Sequence, residues 1–361
     1  MDMMNYSWSL TIRVIVISLF IGGASGVLAT ALTSNYLWQY AFELSELTEP
    51  LRLTTEQPRA VPQGYADALT TLESKVLPAV GVLFGTNVPL TGFMKKDERG
   101  TVVALTSDGW MLSASGSLSS VVAIEDQTCL VDEMRVHPLT GLSFLHCELN
   151  NVSVVDLADD HSLALGDQVF VVEGPDAVVF TEVRSILWED ESVRSSDVPT
   201  RRIALSFEGE LRAGSPVFTI FGELVGFLDP TQETTFVVPF EQVASAFRQV
   251  LEGADEILSP RLGVNAIDLA RTVGLSTELT RGLMSGALLF GSQAVDHGSS
   301  AFTAGLLAGD VILSVDGETI GDAYTLDDLI ARFSPGDSLV LLIDRGGARM
   351  EVTVTLGSSS E

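Results

Sequence analysis

The residues to consider first for chemistry are a serine in a tight turn and the histidines that could activate it. Ser215 stands between Gly214 and Pro216, directly before a run of apolar residues. A serine hydroxyl is a weak nucleophile until an imidazole takes its proton and a carboxylate holds that imidazole in place. The fold would therefore have to bring a histidine and an acidic residue to this turn.

The chain has four histidines, His137, His146, His161 and His297. His146 is predicted on a strand and His161 in a polar turn, and neither position predicts contact with Ser215. A serine in a Gly-Ser-Pro turn is usually structural, which leaves a displaced nucleophile as the alternative interpretation. No two histidines have metal-ligand spacing and no H-E-x-x-H motif is present, so we expect no metal and no cofactor.

The elements that must position these residues are short strands. Apolar runs separated by Gly, Asp, Asn and Pro indicate an all-β barrel or sandwich. A helix is predicted before them at residues 66–75. The runs fall at residues 76–83, 100–105, 110–114, 119–124, 129–136, 142–149, 168–173, 181–187, 202–207, 216–220, 223–228 and 234–238.

Several segments of this region resemble those of trypsin-like serine proteases of the HtrA/Deg family. Residues 76–83 resemble the opening of the protease domain, and residues 108–117 and 137–145 its histidine and aspartate segments. Residues 210–218, followed by the turn and strand at 221–227, resemble its nucleophile segment. The resemblance implies two six-stranded β-barrels with the catalytic groups at their junction.

The residues at the catalytic positions of these segments differ from those of the family. Gly116 stands at the histidine position, Gly141 at the aspartate position and Ala213 at the serine position. Leu211 and Ser215 replace glycines of the oxyanion loop, whose N–H groups stabilise the developing charge. We therefore predict no catalytic residues and expect a pseudoprotease rather than an enzyme. The alternative is a serine endopeptidase of envelope protein quality control with a non-standard or ligand-activated centre.

Residues 261–356 resemble the PDZ domain of the same family. Residues 297–317 match the pattern P-G-S-P-A-x-x-A-G-L-x-x-G-D-V-I-L-x-V-(D/N)-G almost throughout, and residues 261–264 are similar to its carboxylate-binding loop. Residues 326–333 carry apolar side chains at helical spacing, with Thr325 as the predicted N-cap.

The resemblance to PDZ domains implies peptide binding by strand addition, with loop N–H groups on the terminal carboxylate. We predict that Leu262, Gly263 and Val264 of the loop and Leu326 and Ile330 of the helix bind the peptide. The alternative for Leu262 and Val264 is an ordinary place in the strand core.

Residues 14–32 form an uncharged, mainly apolar run that is long enough to cross a membrane as a helix. Arg13 precedes the run, and Trp8 and Trp38 flank it as interface residues would. We predict a single-pass anchor with a cytoplasmic N-terminus and the bulk of the chain periplasmic or otherwise extracytoplasmic. A signal peptide cleaved near residues 29–31 is the alternative.

The charge balance bears on the partners. Lys and Arg number 20 against 48 Asp and Glu, a net charge of -28, so we exclude nucleic acid because a basic footprint is missing. The family resemblance implies C-terminal peptides or unfolded envelope proteins as partners, with the protein as a scaffold or regulator. It also implies a homotrimer, or a hetero-oligomer with an active relative.

The predicted architecture is mainly β, with an N-terminal transmembrane helix, a trypsin-like double β-barrel and a C-terminal α+β PDZ domain. Residues 1–34 form the cytoplasmic N-terminus and anchor, and residues 35–65 a juxtamembrane helix and linker. Residues 66–257 form the protease-like domain and residues 258–361 the PDZ domain.

The only cysteines, Cys129 and Cys147, flank a predicted turn. If His137 pairs with Leu142 across that turn, Cys147 falls opposite Asp132 and not opposite Cys129. We expect two free thiols, because a disulfide needs close and well-aimed Cβ atoms. Export to an oxidising compartment keeps the disulfide as the alternative.

Overall fold

Two seven-stranded sheets form the first part of the fold, which is mainly β as predicted. In the first sheet the strand order is β5-β4-β1-β2-β3-β7-β6, and all neighbours are antiparallel. The strands are β1 Val80–Phe84, β2 Glu98–Ala104, β3 Trp110–Ser113, β4 Val121–Ile124, β5 Gln127–Leu130, β6 Glu133–Val136 and β7 Ser143–His146.

The second sheet closes into a barrel, because β13 pairs with both β9 and β14. Around it the order is β13-β9-β10-β12-β15-β14, and β8 adds to β14 in parallel. The strands are β8 Asp156–Leu157, β9 Gln168–Gly174, β10 Ala177–Leu187, β12 Arg202–Leu205, β13 Pro216–Thr219, β14 Glu223–Leu228 and β15 Phe236–Pro239.

One apolar cluster joins the two sheets. It combines Leu112 and Phe144 of the first sheet with Phe170, Phe218 and Phe227 of the second, all fully buried. Burying one such side chain contributes about 1.5–3 kcal/mol. The cluster therefore fixes the two sheets against each other.

Two helical segments cover this cluster. Helix α1, Tyr65–Thr71, continues through a π turn, Leu72–Val76, into a 3₁₀ turn, Leu77–Ala79. Helix α2, Glu241–Leu251, buries Val243, Ala246 and Val250 at helical spacing against the same cluster.

The third sheet has the strand order β11-β17-β18-β19-β21-β22, and β20 pairs with β19. Strands β16 and β23, at the start and the end of this part of the chain, form a separate antiparallel pair. The strands are β11 Arg194–Ser195, β16 Ser259–Arg261, β17 Asn265–Asp268, β18 Ala287–Leu289, β19 Val311–Val315, β20 Glu318–Thr319, β21 Ser338–Arg345, β22 Ala348–Thr355 and β23 Gly357–Ser359.

Three short helices accompany the third sheet: α3 Thr277–Thr280, α4 Ser300–Thr303 and α5 Leu326–Ile330. At the start of α5 the Thr325 hydroxyl accepts the N–H of Asp328, and the Asp328 carboxylate accepts the N–H of Thr325. This capping box confirms the predicted N-cap.

These elements belong to a computed structural model. It describes residues 64–359 except 87–88, 90, 159–162, 189–191, 208 and 230–235. The predicted anchor at residues 14–32, the predicted linker up to residue 63 and His161 lie outside the described residues. Among the helices that are described, none has the length and hydrophobicity needed to span a membrane.

Cys129 and Cys147 form a disulfide with a Cα–Cα distance of 5.9 Å, so the expectation of free thiols is wrong. The turn itself is as predicted, since the N–H of His137 donates to the carbonyl of Leu142 at 2.8 Å. The pairing of Glu133 with His146 also leaves Cys147 opposite the position before Glu133.

The error lies in treating residues 129–136 as one strand. The chain bends between β5 and β6, and β5 pairs with β4 at the opposite edge of the sheet. Because β5 and β6 are consecutive in the chain, the two edges of the sheet meet at this bend. Cys129 thereby reaches Cys147 across the bend, a contact that a flat hairpin does not allow.

Candidate functional site

The segments that resemble catalytic segments meet at the junction between the first two sheets. Strand β3 pairs with β7 through Ser113 and Ser143, so the residues after β3 and before β7 share one end of the sheet. The loop before β13 reaches the same end, because a Cβ on Gly214 would lie 2.3 Å from the Cβ of Ala114. The fold thus brings the three segments together.

The predicted triad positions at this junction carry no ionisable or hydroxyl side chain. Gly116 and Gly141 both have positive φ, +148° and +70°. A Cβ on Gly116 would lie 2.9 Å from Cδ1 of Leu145, whereas one on Gly141 would meet no atom within 4 Å. Ala213 offers only a methyl group. Any acyl-transfer chemistry here would have to use other side chains.

Ser215 is buried, with 1% of its surface exposed. Its N–H donates to the carbonyl of Arg212 at 3.2 Å, and its carbonyl accepts the N–H of Leu228 at 2.8 Å. Its hydroxyl has no hydrogen-bond partner in the described part of the chain. The residue closes the turn into β13 and presents no hydroxyl to solvent.

The loop before Ser215 is held by Arg212. The backbone N–H of Arg212 donates to Oε1 of Glu173 at 2.7 Å, and its guanidinium donates to the carbonyl of Glu173 at 3.3 Å. Oε2 of Glu98 lies 3.7 Å from the same guanidinium. Charge-assisted contacts of this kind fix the loop against strand β9.

The described histidines have other partners. Nδ1 of His146 lies 2.8 Å from Oδ1 of Asp132, and the ring of His297 packs against Phe302. His137 is buried and its Nδ1 accepts the N–H of Thr140 at 3.2 Å. Burial lowers the pKa of His137 from 6.5 to about 4. These contacts do not place an imidazole against Ser215.

The second candidate site is the loop at residues 261–264, where the sequence predicts carboxylate binding. Gly263 has a φ of +79°, and a Cβ there would lie 2.3 Å from the Cβ of Ser299. Only glycine fits this backbone without displacement of its neighbour. The side chains of Leu262 and Val264 are buried in the core. The place in the core that was the alternative for these two side chains is confirmed, whereas their part in peptide binding stays a prediction. Their N–H groups point to residues 196 and 197.

The N–H groups of this loop hold a carboxylate of the same chain. Leu262 and Gly263 donate to Oδ1 of Asp197 at 2.9 and 3.0 Å. The N–H of Val264 donates to the hydroxyl of Ser196 at 3.2 Å. Two N–H groups of the loop thus converge on one carboxylate oxygen.

The helix side of the groove is formed by Leu326 and Ile330, which are both buried. Leu326 lines a small cavity between β17 and α5 together with Arg194, Ser195 and Ser196. Ile330 lines a second cavity beside Ser196 and Asp197. The structure therefore brings all five predicted peptide-binding residues to one groove, around residues 194–197.

Two neighbouring aspartates of α5 make polar contacts here, and Asp327 lines both cavities. Asp327 accepts the backbone N–H and the hydroxyl of Thr200, both at 2.8 Å. Asp328 accepts the indole N–H of Trp188 at 3.2 Å. Burial, and next the neighbouring carboxylate of Asp327, raise the pKa of Asp328.

Sequence reasoning missed residues 194–197, Thr200 and Asp327 as parts of this groove. Residues 194–197 form a short polar stretch without periodicity, and nothing local distinguishes them from a solvated loop. Their partners lie 65 or more positions further along the chain. Only the acidic pair at residues 327–328 in the first turn of a predicted helix offered a signal.

Parts of the chain are similar to known proteins. Residues 260–356 match the family model of the PDZ domain. The chain is 25% identical over 295 residues to a protein of Halomonas elongata named "Probable periplasmic serine endoprotease DegP-like", covering 77% of this chain and 61% of that protein. It is 27% identical over 275 residues to a protein of the same name from Bartonella henselae, covering 71% of this chain and 52% of that protein.

Solved structures show the same fold. The structure titled "HtrA-type protease AlgW with tripeptide" matches with a TM-score of 0.55 at 21% identity, covering 81% of this chain and 98% of that one. The structure titled "HtrA-type protease AlgW with decapeptide" matches with a TM-score of 0.53 at 19% identity, covering 82% and 99%. The matched part of this chain spans less than two thirds of the two curated relatives.

The comparisons contradict the expectation that the chain is not an enzyme. That expectation rested on Gly116, Gly141 and Ala213, whereas the curated relatives that match most of the chain are named serine endoproteases.

Proposed function

We propose that the chain is a PDZ-containing, trypsin-like protein of the HtrA/Deg family, and that it binds the carboxyl-terminal end of peptides through the groove of its PDZ domain. The observation that carries the proposal is the contact of two loop N–H groups with one carboxylate oxygen, at 2.9 and 3.0 Å. A peptide carboxylate has the same charge and geometry as the aspartate carboxylate that lies there. The strand β17 next to the loop accepts a further strand by backbone pairing.

The direct test is the dependence of binding on the peptide's terminal charge. A fluorescently labelled hexapeptide with the sequence of residues 191–196 is titrated with the full-length protein, once with a free carboxylate and once as the amide. We expect the free acid to bind at least about tenfold more tightly, since hydrogen bonds to a charged group are worth more than neutral ones. Equal affinities of the acid and the amide would refute carboxylate recognition.

A pair of glycine variants locates the binding at the loop. Gly263→Ala places a Cβ 2.3 Å from that of Ser299, whereas Gly298→Ala meets no atom within 4 Å. The two glycines have nearly the same φ, +79° and +78°, so the backbone strain of the substitution is matched. We expect loss of peptide binding in Gly263→Ala only.

A second candidate function is hydrolysis of peptides at the junction of the two barrels. The observation in its favour is the name of the curated relatives, serine endoprotease. Unfolded casein incubated with the full-length protein, with and without the hexapeptide, tests it. Turnover that a serine-directed fluorophosphonate abolishes supports the candidate, and absence of turnover under both conditions excludes it.

The relatives' names and the disulfide also support a place outside the cytoplasm. The two curated relatives are named periplasmic, and a disulfide such as Cys129–Cys147 persists in oxidising compartments. We propose that residues 66–361 function there, attached by the predicted anchor at residues 14–32. The predicted oligomer, scaffold role and active partner stay predictions.

A further inference from the structure

The PDZ groove contains a segment of the chain itself. Strand β11 pairs antiparallel with β17, Arg194 opposite Ala266 and Ser195 opposite Asn265. The pairing continues with the N–H of Ser196, which donates to the carbonyl of Val264 at 2.9 Å. Asp197 then presents its carboxylate to the loop. The segment thus combines an added strand with a carboxylate at its end, which are the two features of a bound carboxyl-terminal peptide.

We propose that residues 194–197 are an internal ligand of the PDZ groove, and that a peptide from another molecule binds by displacing them. This inference rests on the proposed function of the groove. In it Ser196 takes the place of the peptide's last residue. Oδ1 of Asp197 and the Ser196 hydroxyl take the places of the two terminal carboxylate oxygens.

The internal ligand is fixed at both ends. On one side Arg194 pairs with the buried Asp268 at 3.2 Å. On the other side Thr200 donates twice to Asp327 of α5. Before the segment, the guanidinium of Arg271 lies 3.8 Å above the ring of Trp188. These contacts hold the segment in register with β17.

The carboxylate end is the exchangeable part of this arrangement. Asp197 supplies one oxygen to two N–H groups, and the third N–H is left to a neutral hydroxyl. A terminal carboxylate can offer charged oxygen to all three donors. The internal segment offsets its weaker contacts by its high effective concentration, because it is part of the same chain.

The segment also indicates which peptides the groove accepts. Ser196 stands for the last residue of a bound peptide, so Arg194 lies two positions before that end. The Arg194 guanidinium donates to Asp268 and to the hydroxyl of Thr200, both at 3.2 Å. Asp268 is buried and also pairs with Arg271 at 2.7 Å, and its Oδ2 is the atom that both guanidinium groups contact. We therefore expect the groove to favour peptides with a basic residue two positions before the last. A peptide with glutamate there would place like charges together.

Asp197→Ala tests the displacement by removing the carboxylate that competes for the loop. The probe is the free-acid form of the hexapeptide of residues 191–196. We expect it to bind this variant at least about tenfold more tightly than the unmodified protein, because the state in which residues 194–197 occupy the groove is less populated. Asp322→Ala is the control, since it removes an exposed aspartate of the same domain. It should leave the affinity unchanged.

The possible outcomes separate this inference from the proposed function. Tighter binding to Asp197→Ala alone supports the internal ligand. Equal binding to all three proteins overturns the internal ligand and keeps the groove as a peptide site. No binding to any of them, or no preference for the free acid, overturns the proposed function itself.

Replacing the arginine of the hexapeptide by glutamate should weaken binding to Asp197→Ala about tenfold, and an unchanged affinity refutes the selection of a basic residue.

Hydrogen exchange of the unmodified protein supplies a measurement that needs no variant. Saturating free-acid hexapeptide should increase amide exchange in residues 192–200, because the Ser196 N–H loses its partner. Amides of β17 should stay protected by the new strand. Bound peptide with unchanged exchange in residues 192–200 would overturn the displacement.

Discussion

At the scale of single residues, the proposed binding of carboxylates depends on polar contacts of the loop at residues 262–264. Gly263 allows the positive φ of the loop, and the N–H groups of Leu262 and Gly263 donate to the carboxylate of Asp197. The glycine could be predicted from the sequence because the family motif and the need for positive φ coincide there. Asp197 could not, because its contacts with Leu262 and Gly263 span 65 and 66 positions.

His137 gives a prediction about pH. Its pKa is lowered from 6.5 to about 4 by burial, so the unfolded chain binds a proton more readily than the folded one between these values. The free energy of unfolding therefore falls as pH falls through this window, by about 1 kcal/mol from this group between pH 7.5 and pH 5.5. The contribution fades as the pH rises above 6.5, because the histidine is then neutral in both states.

His137→Asn removes the titrating group and keeps an acceptor for the Thr140 N–H. Urea unfolding at both pH values should show that the variant loses about 1 kcal/mol less than the unmodified protein. His297→Asn is the control, because that residue is exposed. Identical pH dependence in His137→Asn and the unmodified protein would show that His137 is not kept neutral by burial.

At the scale of elements, the first sheet shows how far a strand pattern can be interpreted. The apolar runs predicted six strands here and the resemblance implied a six-stranded barrel, whereas the sheet has seven strands. The pairing of His137 with Leu142 was correct. The bend between β5 and β6 was not predicted, since residues 129–136 form an uninterrupted stretch without Gly or Pro. Closure of the sheet depends on contacts that no local pattern encodes.

The disulfide at this bend should stabilise the first sheet. It closes a loop with a sequence separation of 18, for which the loss of chain entropy in the unfolded state corresponds to about 3 kcal/mol. We expect the Cys129→Ala, Cys147→Ala double variant to unfold in urea with a free energy lower by about that amount. Reductant should destabilise the unmodified protein and leave the variant unaffected. Alkylation of two thiols in the native, unreduced protein would contradict the disulfide.

At the scale of the whole molecule, the third sheet includes a strand that the barrel part of the chain supplies. Strand β11 lies between β10 and β12 in sequence, yet pairs with β17. The double barrel and the PDZ domain could both be predicted from family motifs. Their connection through residues 188–200 could not, because it depends on Trp188, Thr200 and Asp327 meeting in three dimensions.

Thr200→Val tests this connection. The change removes one of two donors to Asp327, which is buried, so we expect the free energy of unfolding to fall by about 1–3 kcal/mol. It should also loosen the internal ligand and raise the affinity for the free-acid hexapeptide. Thr353→Val, on the exposed side of β22, is the control. Loss of stability without a gain in peptide affinity would show that Thr200 does not hold the internal ligand in place.

The central claim is that the amides of residues 262–264 receive the carboxylate of a peptide. A crystal structure of the protein with the free-acid hexapeptide tests it most directly. We predict the peptide antiparallel to β17, its terminal carboxylate within hydrogen-bond distance of the N–H groups of Leu262 and Gly263, and residues 194–197 displaced. A peptide bound elsewhere, with Asp197 still on the loop, would contradict the account.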